Sequence, residues 1–341
     1  MQKKVLLAVL LVVCTLAVVF SISAVKDKTQ PTSTTENEDT LWGDESYGIN
    51  AKADEDLQNY KTIAIYGLDK RNRSDIIMLF CINKETNKAK VVSVYRDTYM
   101  QLSDKNTYEP GGVKREFFKC NHAYKYGGKY ESVKELNRHL DTNIRECFGI
   151  TWDGVAELVN EYGGMKINVT EDMLPWMNSQ LSEEDQLTKG GFQILNGWQT
   201  VQYLRCRKDA GADAATRAYR NTKIFKKMFE LSKDMNKSDK LDLLEAISGE
   251  YDTNMSKKRL AKTIDQLSKV ELEDSTGWPY DYSILWQDDY SFYYYVPETL
   301  KSNVERMHKE VYGQSDYEPS DTVKALSEEI EQLKESELRA E

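Results

Sequence analysis

From residue 61 to residue 97 the chain is KTIAIYGLDKRNRSDIIMLFCINKETNKAKVVSVYRD. Three runs within it, at 61–66, 75–82 and 90–95, are apolar and rich in β-branched and aromatic residues, which favours buried strands. The intervening segment 83–88 is polar and suits a hairpin between the second and third runs. This stretch therefore predicts the centre of a β-sheet.

Helical patterns alternate with shorter strand-like runs after this stretch. The helical patterns cover residues 132–140, 152–162, 196–205 and 214–235, two further helices within 236–270, and a helix near 297–311, while strand-like runs cover 165–169 and 290–296. Such alternation indicates an α/β or α+β layer architecture. Residues 321–341 are rich in Lys, Glu and Leu and are expected to form a solvated helical or disordered tail.

An apolar run without a charged residue occupies positions 5–25. As a helix it would be about 31 Å long, the thickness of a bilayer core. Lys3 and Lys4 precede the run, so the positive-inside tendency predicts that residues 1–4 are cytoplasmic and that everything after Lys26 is extracellular. We therefore expect a single-pass anchor in a cell membrane.

A cleaved signal peptide is the alternative for this run, because Ser21 and Ser23 form a small-x-small pattern. The following residues, 26–59, are rich in Thr, Ser, Asp, Glu and Asn and show almost no apolar periodicity. We expect them to form a flexible juxtamembrane linker.

Length and charge limit the function classes. With 341 residues the chain holds one large or two modest domains. Its 46 basic and 56 acidic residues give a net charge of −10, and an acidic surface disfavours nonspecific binding to nucleic acid. We expect no nucleic-acid partner.

Cysteine and histidine spacing gives no metal or redox motif. Outside the apolar run the cysteines are Cys81, Cys120, Cys147 and Cys206, and the histidines are His122, His139 and His308. No C-x-x-C and no H-x-x-x-H occurs, which argues against a Cys/His metal site. Unpaired thiols are expected, with disulfide pairing in an exported chain as the alternative.

Charged residues follow the predicted strands directly. The segment between the first two strands carries two acids among three cations: Asp69, Lys70, Arg71, Arg73 and Asp75. Arg96 and Asp97 follow the third strand, at the sheet edge where sites of α/β proteins usually form. Carboxylates beside cations suit a metal ion bound next to phosphate, although a surface loop with internal ion pairs explains the segment between the first two strands equally well.

Arginines also recur in pairs on two later helical patterns. Arg205 and Arg207 close one pattern, and Arg217 and Arg220 lie three residues apart on the next, hence on one face. Guanidinium pairs on neighbouring elements suit bidentate recognition of phosphate. Taken one at a time, each pair is better explained by a solvated charged face.

Together these segments resemble the LytR-CpsA-Psr (LCP) family over residues 60–235. The matching segments are Gly67-Leu-Asp69 with Arg73-Ser-Asp75, Ser93-Val-Tyr-Arg96-Asp97-Thr98, Lys119-Cys-Asn121-His-Ala-Tyr124 with Tyr126-Gly-Gly128, the segment 148–164 (a strand, a helix and a Gly-Gly turn), Leu195-Asn-Gly197, Tyr203-Leu-Arg205-Cys-Arg207 and Arg217-Ala-Tyr-Arg220-Asn221. The resemblance implies an LCP-type layered α-β-α domain with a central mixed sheet. Residues 236–320 would form a C-terminal extension packed on or following it.

The resemblance also implies an activity. LCP proteins move an anionic glycopolymer, such as teichoic acid or capsular polysaccharide, from a polyprenyl-pyrophosphate carrier to a peptidoglycan sugar hydroxyl, with Mg²⁺ or another divalent ion at the pyrophosphate. Such phosphotransfer depends on charge neutralisation and positioning. The implied partners are the carrier-linked glycopolymer, peptidoglycan and the membrane of a Gram-positive envelope.

Residue roles follow from the matching motif positions. The implied metal ligands are Asp69 and Asp75, the implied catalytic residues are Asp75, Arg96, Asp97, Arg205 and Arg207, and the implied pyrophosphate contacts are Arg73, Arg96, Arg205, Arg207, Arg217, Arg220 and Asn221. Asn221 stands where the family has Gln, so its amide reaches one methylene less far. Asp97 is a candidate general base or a residue that orients Arg96. Lipid density in an apolar tunnel that ends at Arg96 and Arg205 would be the most informative observation for these roles.

Three other functions are alternatives to glycopolymer transfer. A pyrophosphatase or phosphatase acting on lipid carriers would use the same residues with water as acceptor. A non-catalytic wall-binding protein would keep the sheet and lose the arginine cluster, which is intact here. A transcription regulator needs a cytoplasmic DNA-binding module, which residues 1–4 are too short to supply.

Overall fold

The computed structural model of the chain describes residues 47–102, 116–207, 214–287, 292–336 and 338–339. Its strands are β1 Tyr60–Leu68, β2 Ser74–Asn83, β3 Lys88–Val94, β4 Tyr99–Gln101, β5 Phe117–Lys119, β6 Glu146–Thr151, β7 Met165–Val169, β8 Gly191–Leu195, β9 Tyr251–Thr253, β10 Glu271–Trp278, β11 Tyr282–Gln287, β12 Tyr293–Pro297 and β13 Leu338–Arg339. Its helices are α1 Ala51–Asp56, α2 Asn121–Leu140, α3 Trp152–Glu161, α4 Leu174–Asn178, α5 Gly197–Arg205, α6 Ala214–Lys233, α7 Lys237–Ala246, α8 Lys257–Leu267, α9 Leu300–Tyr312 and α10 Asp321–Ser336. Short 3-10 turns cover Glu171–Met173 and Glu183–Asp185.

The largest sheet in the described part has the strand order β10-β3-β2-β1-β6-β9. Strands β1, β3, β6 and β10 run in one direction, and β2 and β9 run in the other. The predicted hairpin between the second and third runs is confirmed as β2–β3, with Asn87 in the left-handed region at φ 55°. The expected central mixed sheet is therefore present.

Alternating side chains of the central strands divide the core into two layers. Ile63 and Ile65 of β1 pack on one face of the sheet with α3 and α5–α8, whereas Ala64 and Tyr66 pack on the other face with α2, α9 and α10. Because both faces are covered, the strands are nearly continuous apolar runs. The α-β-α layering expected from the sequence is confirmed.

The part of the predicted linker that the structure describes, residues 47–59, is folded. Asn50 caps α1 by accepting from the backbone N–H of Lys52, and Ala53 and Leu57 are fully buried in the α2 layer. These few apolar side chains were too sparse to reveal a periodic pattern, but they fit a gap left by the larger helices.

The last helix is also not a solvated tail. Val323, Leu326 and Ile330 of α10 are at most 2% exposed and belong to the α2 layer. Their i, i+3, i+7 spacing is that of an amphipathic helix with one buried face, and Lys and Glu occupy the opposite face. The C-terminal segment thus completes the core.

Helix α2 starts earlier than the predicted pattern at 132–140. Its first half holds the Tyr-Gly-Gly segment, and the helix kinks at Gly128, where φ is 65° and ψ is −160°. Glycine adopts this backbone conformation without steric cost. The first turn of α2, at Asn121, therefore approaches the sheet edge at a different angle from the rest of the helix.

None of the helices in these described ranges has the length and apolar composition needed to cross a bilayer. The predicted span at 5–25 lies outside the described residues.

Candidate active site

One edge of the large sheet collects the ends of four parallel strands. Leu68 pairs with Thr151, and Val94 pairs with Trp278, so β1, β6, β3 and β10 all end there. Strand β2 runs the other way and starts at this same edge. The segments that follow or precede these ends are those in which the charged motifs stand.

In the β1–β2 loop, Asp69 fixes Arg73. Its Oδ1 accepts the backbone N–H groups of Arg71 at 2.8 Å and Arg73 at 2.9 Å, and its Oδ2 accepts from the Arg73 guanidinium at 2.8 and 2.7 Å. Burial raises the pKa of Asp69, but these N–H groups and the guanidinium outweigh it and hold the pKa below its ordinary value. Asp69 is therefore an ionised anchor that aims Arg73.

Asp75, at the start of β2, faces Arg96, just beyond the end of β3. The Arg96 guanidinium forms an ion pair with Oδ1 of Asp75, and the indole N–H of Trp152 donates to Oδ2 at 3.4 Å. The Arg96 and Asp75 side chains are only 11% and 12% exposed. Their neighbouring strands thus bring together two groups that lie 21 positions apart in the chain.

Asp97 lies beneath this pair, with its side chain 2% exposed. It contacts the Arg96 Nε at 3.3 Å, the Lys119 Nζ at 3.0 Å and the Arg217 Nη2 at 4.0 Å. Burial raises the pKa of Asp97, but Arg96, Lys119 and Arg217 lower it below its ordinary value. An ionised, enclosed carboxylate with three cationic partners is suited to orienting arginines rather than to accepting a proton.

The cations around Asp97 outnumber the acids. Burial and the neighbouring Arg96 charge lower the pKa of Arg217, although Asp97 and Asp75 partly oppose the shift. Positive charge is therefore left over at this point of the sheet edge, and an anion would relieve it.

These groups line a cavity of about 300 Å³. Its walls are formed by Arg73, Asp75, Arg96, Trp152, Trp176, Leu204, Arg205, Arg207, Arg217 and Asn221. Five arginines and a single aspartate thus converge on one space, as recognition of a multiply charged phosphate group requires.

Arg205 and Arg207 reach the cavity from the end of α5. Asn196 caps this helix in a capping box with Gln199, and Gly197 allows a close approach to α3, since a Cβ there would lie 2.0 Å from the Ala156 carbonyl oxygen. The helix ends at Arg205, so Arg207 follows in extended chain, and both side chains line the same cavity.

Arg220 does not line the cavity. It is buried, its Nη2 donates to the Cys206 carbonyl, and its guanidinium lies 5.3 Å from the Tyr203 ring centre. Arg220 therefore holds the backbone between the two cavity arginines. The i, i+3 spacing from Arg217 placed it on the right helix face but did not reveal this buried acceptor.

An apolar pocket adjoins the charged cavity and shares Trp152, Leu204 and Asn221 with it. Its other walls are side chains and backbone of β1, β2, β6, α3 and α6: Ile65, Tyr66, Gly67, Ile76, Met78, Ile150, Val155, Ile224, Phe225 and Met228. The arrangement offers an apolar compartment that opens beside a cationic one.

Sequence reasoning missed several residues of the site. Trp152 follows β6 directly, so the rule that placed Arg96 at the sheet edge would also have found it. Lys119 stands in one of the quoted motifs, and its Nζ lies 4.3 Å from the Tyr293 ring centre. Trp176 and Leu204 carry no local signal, because packing alone brings them to the cavity.

The four cysteines outside the apolar run are buried, and none of them forms a disulfide. Burial raises the pKa of Cys81 to about 11 and that of Cys147 to about 12, so both remain thiols. The expectation of unpaired thiols is confirmed. Within the described ranges, no group of three or more His, Cys, Asp or Glu side chains is arranged to hold a metal ion on its own.

Comparison with known proteins gives a consistent match. Residues 16–310 match the model of the LytR_cpsA_psr family. The chain is 26% identical over 258 residues to the polyisoprenyl-teichoic acid–peptidoglycan teichoic acid transferase TagV of Bacillus subtilis, covering 73% of this chain and 61% of TagV. It is also 26% identical over 258 residues to the transferase TagU of Bacillus cereus, covering 73% of this chain and 79% of TagU.

Among solved structures, that of TagT bound to LI-WTA superposes with a TM-score of 0.59 at 20% identity, covering 76% of this chain and 91% of TagT. This likeness concerns the fold. The mixed α/β architecture described above is the one found in those structures.

Proposed function

The chain belongs to the LytR-CpsA-Psr family, and from that premise we propose that it transfers an anionic glycopolymer from a polyprenyl-pyrophosphate carrier to a peptidoglycan sugar hydroxyl. The observation that carries this proposal is the convergence of five arginines and Asp75 on one cavity with an apolar pocket beside it. In this proposal the pyrophosphate occupies the charged cavity. The apolar pocket, with about 40 Å³ of open space in this structure, marks where the polyprenyl chain would begin, and its walls would have to move apart to admit the chain.

The reaction consists of one displacement at phosphorus. The acceptor hydroxyl oxygen bonds to the phosphorus that carries the glycopolymer, and the bond from this phosphorus to the bridging oxygen of the pyrophosphate breaks. Polyprenyl phosphate leaves with the electron pair, and the hydroxyl proton passes to solvent or to a leaving-group oxygen. The protein's part is to hold the phosphates in line and to neutralise the charge on them.

The cavity arginines fall into two groups, those that acids hold in place and those without an ion-pair partner in the described part of the chain. Asp69 fixes Arg73, while Asp75 and Asp97 fix Arg96, so these two guanidinium groups meet the phosphates in set orientations. Within the described residues, neither Arg205 nor Arg207 has an ion-pair partner. Their charge is available to the substrate, where the planar guanidinium can bind two oxygens at once.

A divalent ion fits this cavity through Asp75 rather than Asp69. Four N–H donors already occupy the two oxygens of Asp69, whereas the Asp75 carboxylate lines the cavity and has two contacts, one with the Arg96 guanidinium and one with the Trp152 indole N–H. Mg²⁺ is commonly held by one or two carboxylates together with substrate phosphates and water. When bound, such an ion would supply further charge neutralisation at the pyrophosphate.

The membrane location is part of the same proposal. A carrier lipid is delivered in a bilayer, and an uncleaved anchor at residues 5–25 would keep the domain beside it. Protease added to intact cells should then degrade the chain after about Lys26, and protection of the bulk of the chain would contradict this topology.

The direct test uses the full chain in lipid vesicles with a radiolabelled, carrier-linked glycopolymer. Adding peptidoglycan should move label onto the peptidoglycan and release polyprenyl phosphate in equal amount. Release of free labelled polymer at the same rate without peptidoglycan would instead indicate a pyrophosphatase. Binding without either product would indicate a wall-binding protein.

Arg96→Lys separates catalysis from simple binding in this assay. Lysine keeps the charge but cannot contact two acids and a phosphate in a fixed plane, so transfer should fall by about tenfold or more. The matched control is Arg306→Lys on α9, where the arginine pairs with Glu310 at 2.8 Å on an exposed surface, and it should leave transfer unchanged.

A further inference from the structure

The β7–β8 hairpin exposes apolar side chains on its outer face. Phe192 and Ile194 are 74% and 69% exposed. The strand register pairs them with Asn168 and Lys166, both exposed, so all four side chains lie on one face of the hairpin. The Lys166 Nζ lies 5.9 Å from the Phe192 ring centre.

Helix α6 continues this surface. Tyr219, Lys223 and Lys227 are spaced four residues apart, which places them on one face of the helix, and Tyr219 is 68% exposed. The Lys227 Nζ donates to the Lys166 carbonyl of the hairpin. Hairpin and helix thus form one continuous surface, the Phe192–Tyr219 face, defined by Lys166, Phe192, Ile194, Tyr219, Lys223 and Lys227.

Positive charge accumulates on this face. Burial lowers the pKa of Lys227, and the ammonium groups of Lys166 and Lys223 lower it further. Lys166 and Lys223 therefore each lie close enough to repel the Lys227 ammonium group. Such a concentration stands out in a chain whose net charge is −10.

Single exposed apolar residues are ordinary on protein surfaces. Here, however, three of the four most exposed large hydrophobic side chains of the described residues lie on one face together with three clustered lysines. Aromatic and aliphatic side chains flanked by lysines are typical of surfaces that rest in the head-group region of a bilayer. An anionic wall polymer would match the lysines but not Phe192 and Ile194.

The opposite side of α6 faces the proposed substrate. Ile224, Phe225 and Met228 line the apolar pocket, and Arg217 and Asn221 line the charged cavity. One helix therefore separates the Phe192–Tyr219 face from the compartment assigned to the lipid carrier. A bilayer against this face would bring the carrier to the side of the domain where it is used.

We propose that the Phe192–Tyr219 face rests on a bilayer containing anionic lipids, with Phe192 and Ile194 at the level of the head groups and the three lysines against the lipid phosphates. This inference rests on the proposed function, which supplies the membrane-borne substrate.

The test places a probe on the face without removing its apolar residues. Asn168→Cys in a Cys14→Ser background, in which the remaining thiols are buried, is labelled with an environment-sensitive fluorophore. The full chain is reconstituted in phosphatidylcholine vesicles with or without phosphatidylglycerol, and quenching by brominated lipids is measured. The matched position is Lys309→Cys, exposed on α9 in the opposite layer.

We expect severalfold stronger quenching at position 168 than at position 309, and only with phosphatidylglycerol present. Substituting the three face lysines with Glu should abolish the difference. The same change of charge at three exposed lysines in and after α8, Lys258, Lys262 and Lys269, should preserve it. Thermal unfolding of each variant checks that the fold is retained.

Equal quenching at positions 168 and 309 would overturn the proposal, as would quenching unaffected by the face lysines. A dimer in sedimentation experiments that Phe192→Ser dissociates would also overturn it, because a second copy would then cover the face. Quenching does not require turnover. A chain that is quenched at position 168 but transfers nothing would therefore refute the proposed function and support the bilayer contact of this face. A chain that transfers glycopolymer but is quenched equally at positions 168 and 309 would refute the bilayer contact and support the proposed function.

Discussion

The two edges of the central sheet each carry a basic pocket, yet they use their cations differently. At the amino end of β1 and β6, a cavity of about 360 Å³ is lined by five cations, Lys61, Lys84, Arg145, Arg259 and Lys262, and by two acids. Glu146, with its side chain 2% exposed, contacts Lys61 at 2.7 Å and Arg259 at 2.5 Å, and Asp54 pairs with Arg145 at 2.8 Å. The three partly buried cations are thus neutralised by the fold itself, and Lys84 and Lys262 are exposed to solvent.

At the carboxyl edge the acids orient cations without neutralising all of them. Asp69 and Asp97 hold Arg73 and Arg96 from outside the cavity, and Asp75 is the one acid that lines it with five arginines. The smaller cavity thus has five cations to one lining acid, against five cations to two acids at the amino edge. All five of its cations are arginines, whose planar guanidinium groups suit phosphate oxygens.

Removing the acid of the charged cavity should have the largest effect on transfer. Asp75→Asn takes away the orienting partner of Arg96 and the proposed metal ligand together, so divalent-dependent transfer should fall by about a hundredfold or more, equivalent to about 2.7 kcal/mol. The vesicle assay with and without chelator measures this loss. Full activity in chelator, or an active Asp75→Asn protein, would reduce Asp75 to an ion-pair partner.

Replacing a free arginine of the cavity should have the next largest effect. Arg207→Lys keeps the charge and loses the planar fork, so transfer should fall about tenfold, which is about 1.4 kcal/mol. The matched change at the other edge, Arg259→Lys, should leave transfer unaltered. If lysine substitutes fully at position 207, that arginine contributes charge balance rather than positioning.

Glu146→Gln should lower the free energy of unfolding with little change in the transfer rate. It leaves Lys61 and Arg259 without their shared buried acid, which costs several kcal/mol for a fully buried pair and about 2–3 kcal/mol here because Arg259 is partly solvated. The urea unfolding midpoint should drop, while transfer by the folded protein stays within about twofold. A tenfold loss of transfer at an unchanged midpoint would remove the contrast between the two edges.

Substitution of His122, at the first turn of α2, should have the smallest effect on transfer. Burial first, and then the charges of Arg73, Lys125 and Lys119, lower its pKa to about 3, so it is neutral at pH 6–7 and the rate should show no titration near 6.5. His122→Gln should leave the pH-rate profile between pH 5.5 and 7.5 unchanged. A profile that loses a step near pH 6.5 in the variant would show that His122 titrates during catalysis.

The same lowered pKa has a consequence for stability. The unfolded chain takes up a proton at this histidine below about pH 6.5, whereas the folded chain does so only near pH 3. Acidification across this window therefore favours unfolding, by on the order of 2 kcal/mol at pH 5. Comparing wild-type and His122→Gln urea midpoints at pH 7 and pH 5 should show a smaller drop in the variant.

The sequence by itself determined the strands and the edge at which the site lies. Short apolar runs rich in β-branched residues favour buried strands, and charged residues directly after such runs then stand at the strand ends. Both facts are local, and β1, β2, β3 and Arg96 were found from them. Sequence also supplied the family, because the motifs containing Asp75 and Arg205 keep their order and residue types.

Only the tertiary structure decided which charges are free. Asp69 and Asp75 look alike in sequence, yet backbone N–H groups and the Arg73 guanidinium occupy both oxygens of Asp69. Asp75 lines the cavity, where it contacts Arg96 and Trp152. Arg217 and Arg220 share a helix face, yet Arg220 donates to the Cys206 carbonyl and does not line the cavity. Whether a charge serves the fold or a ligand depends on donors and acceptors that lie far away in the chain, and no local pattern records their positions.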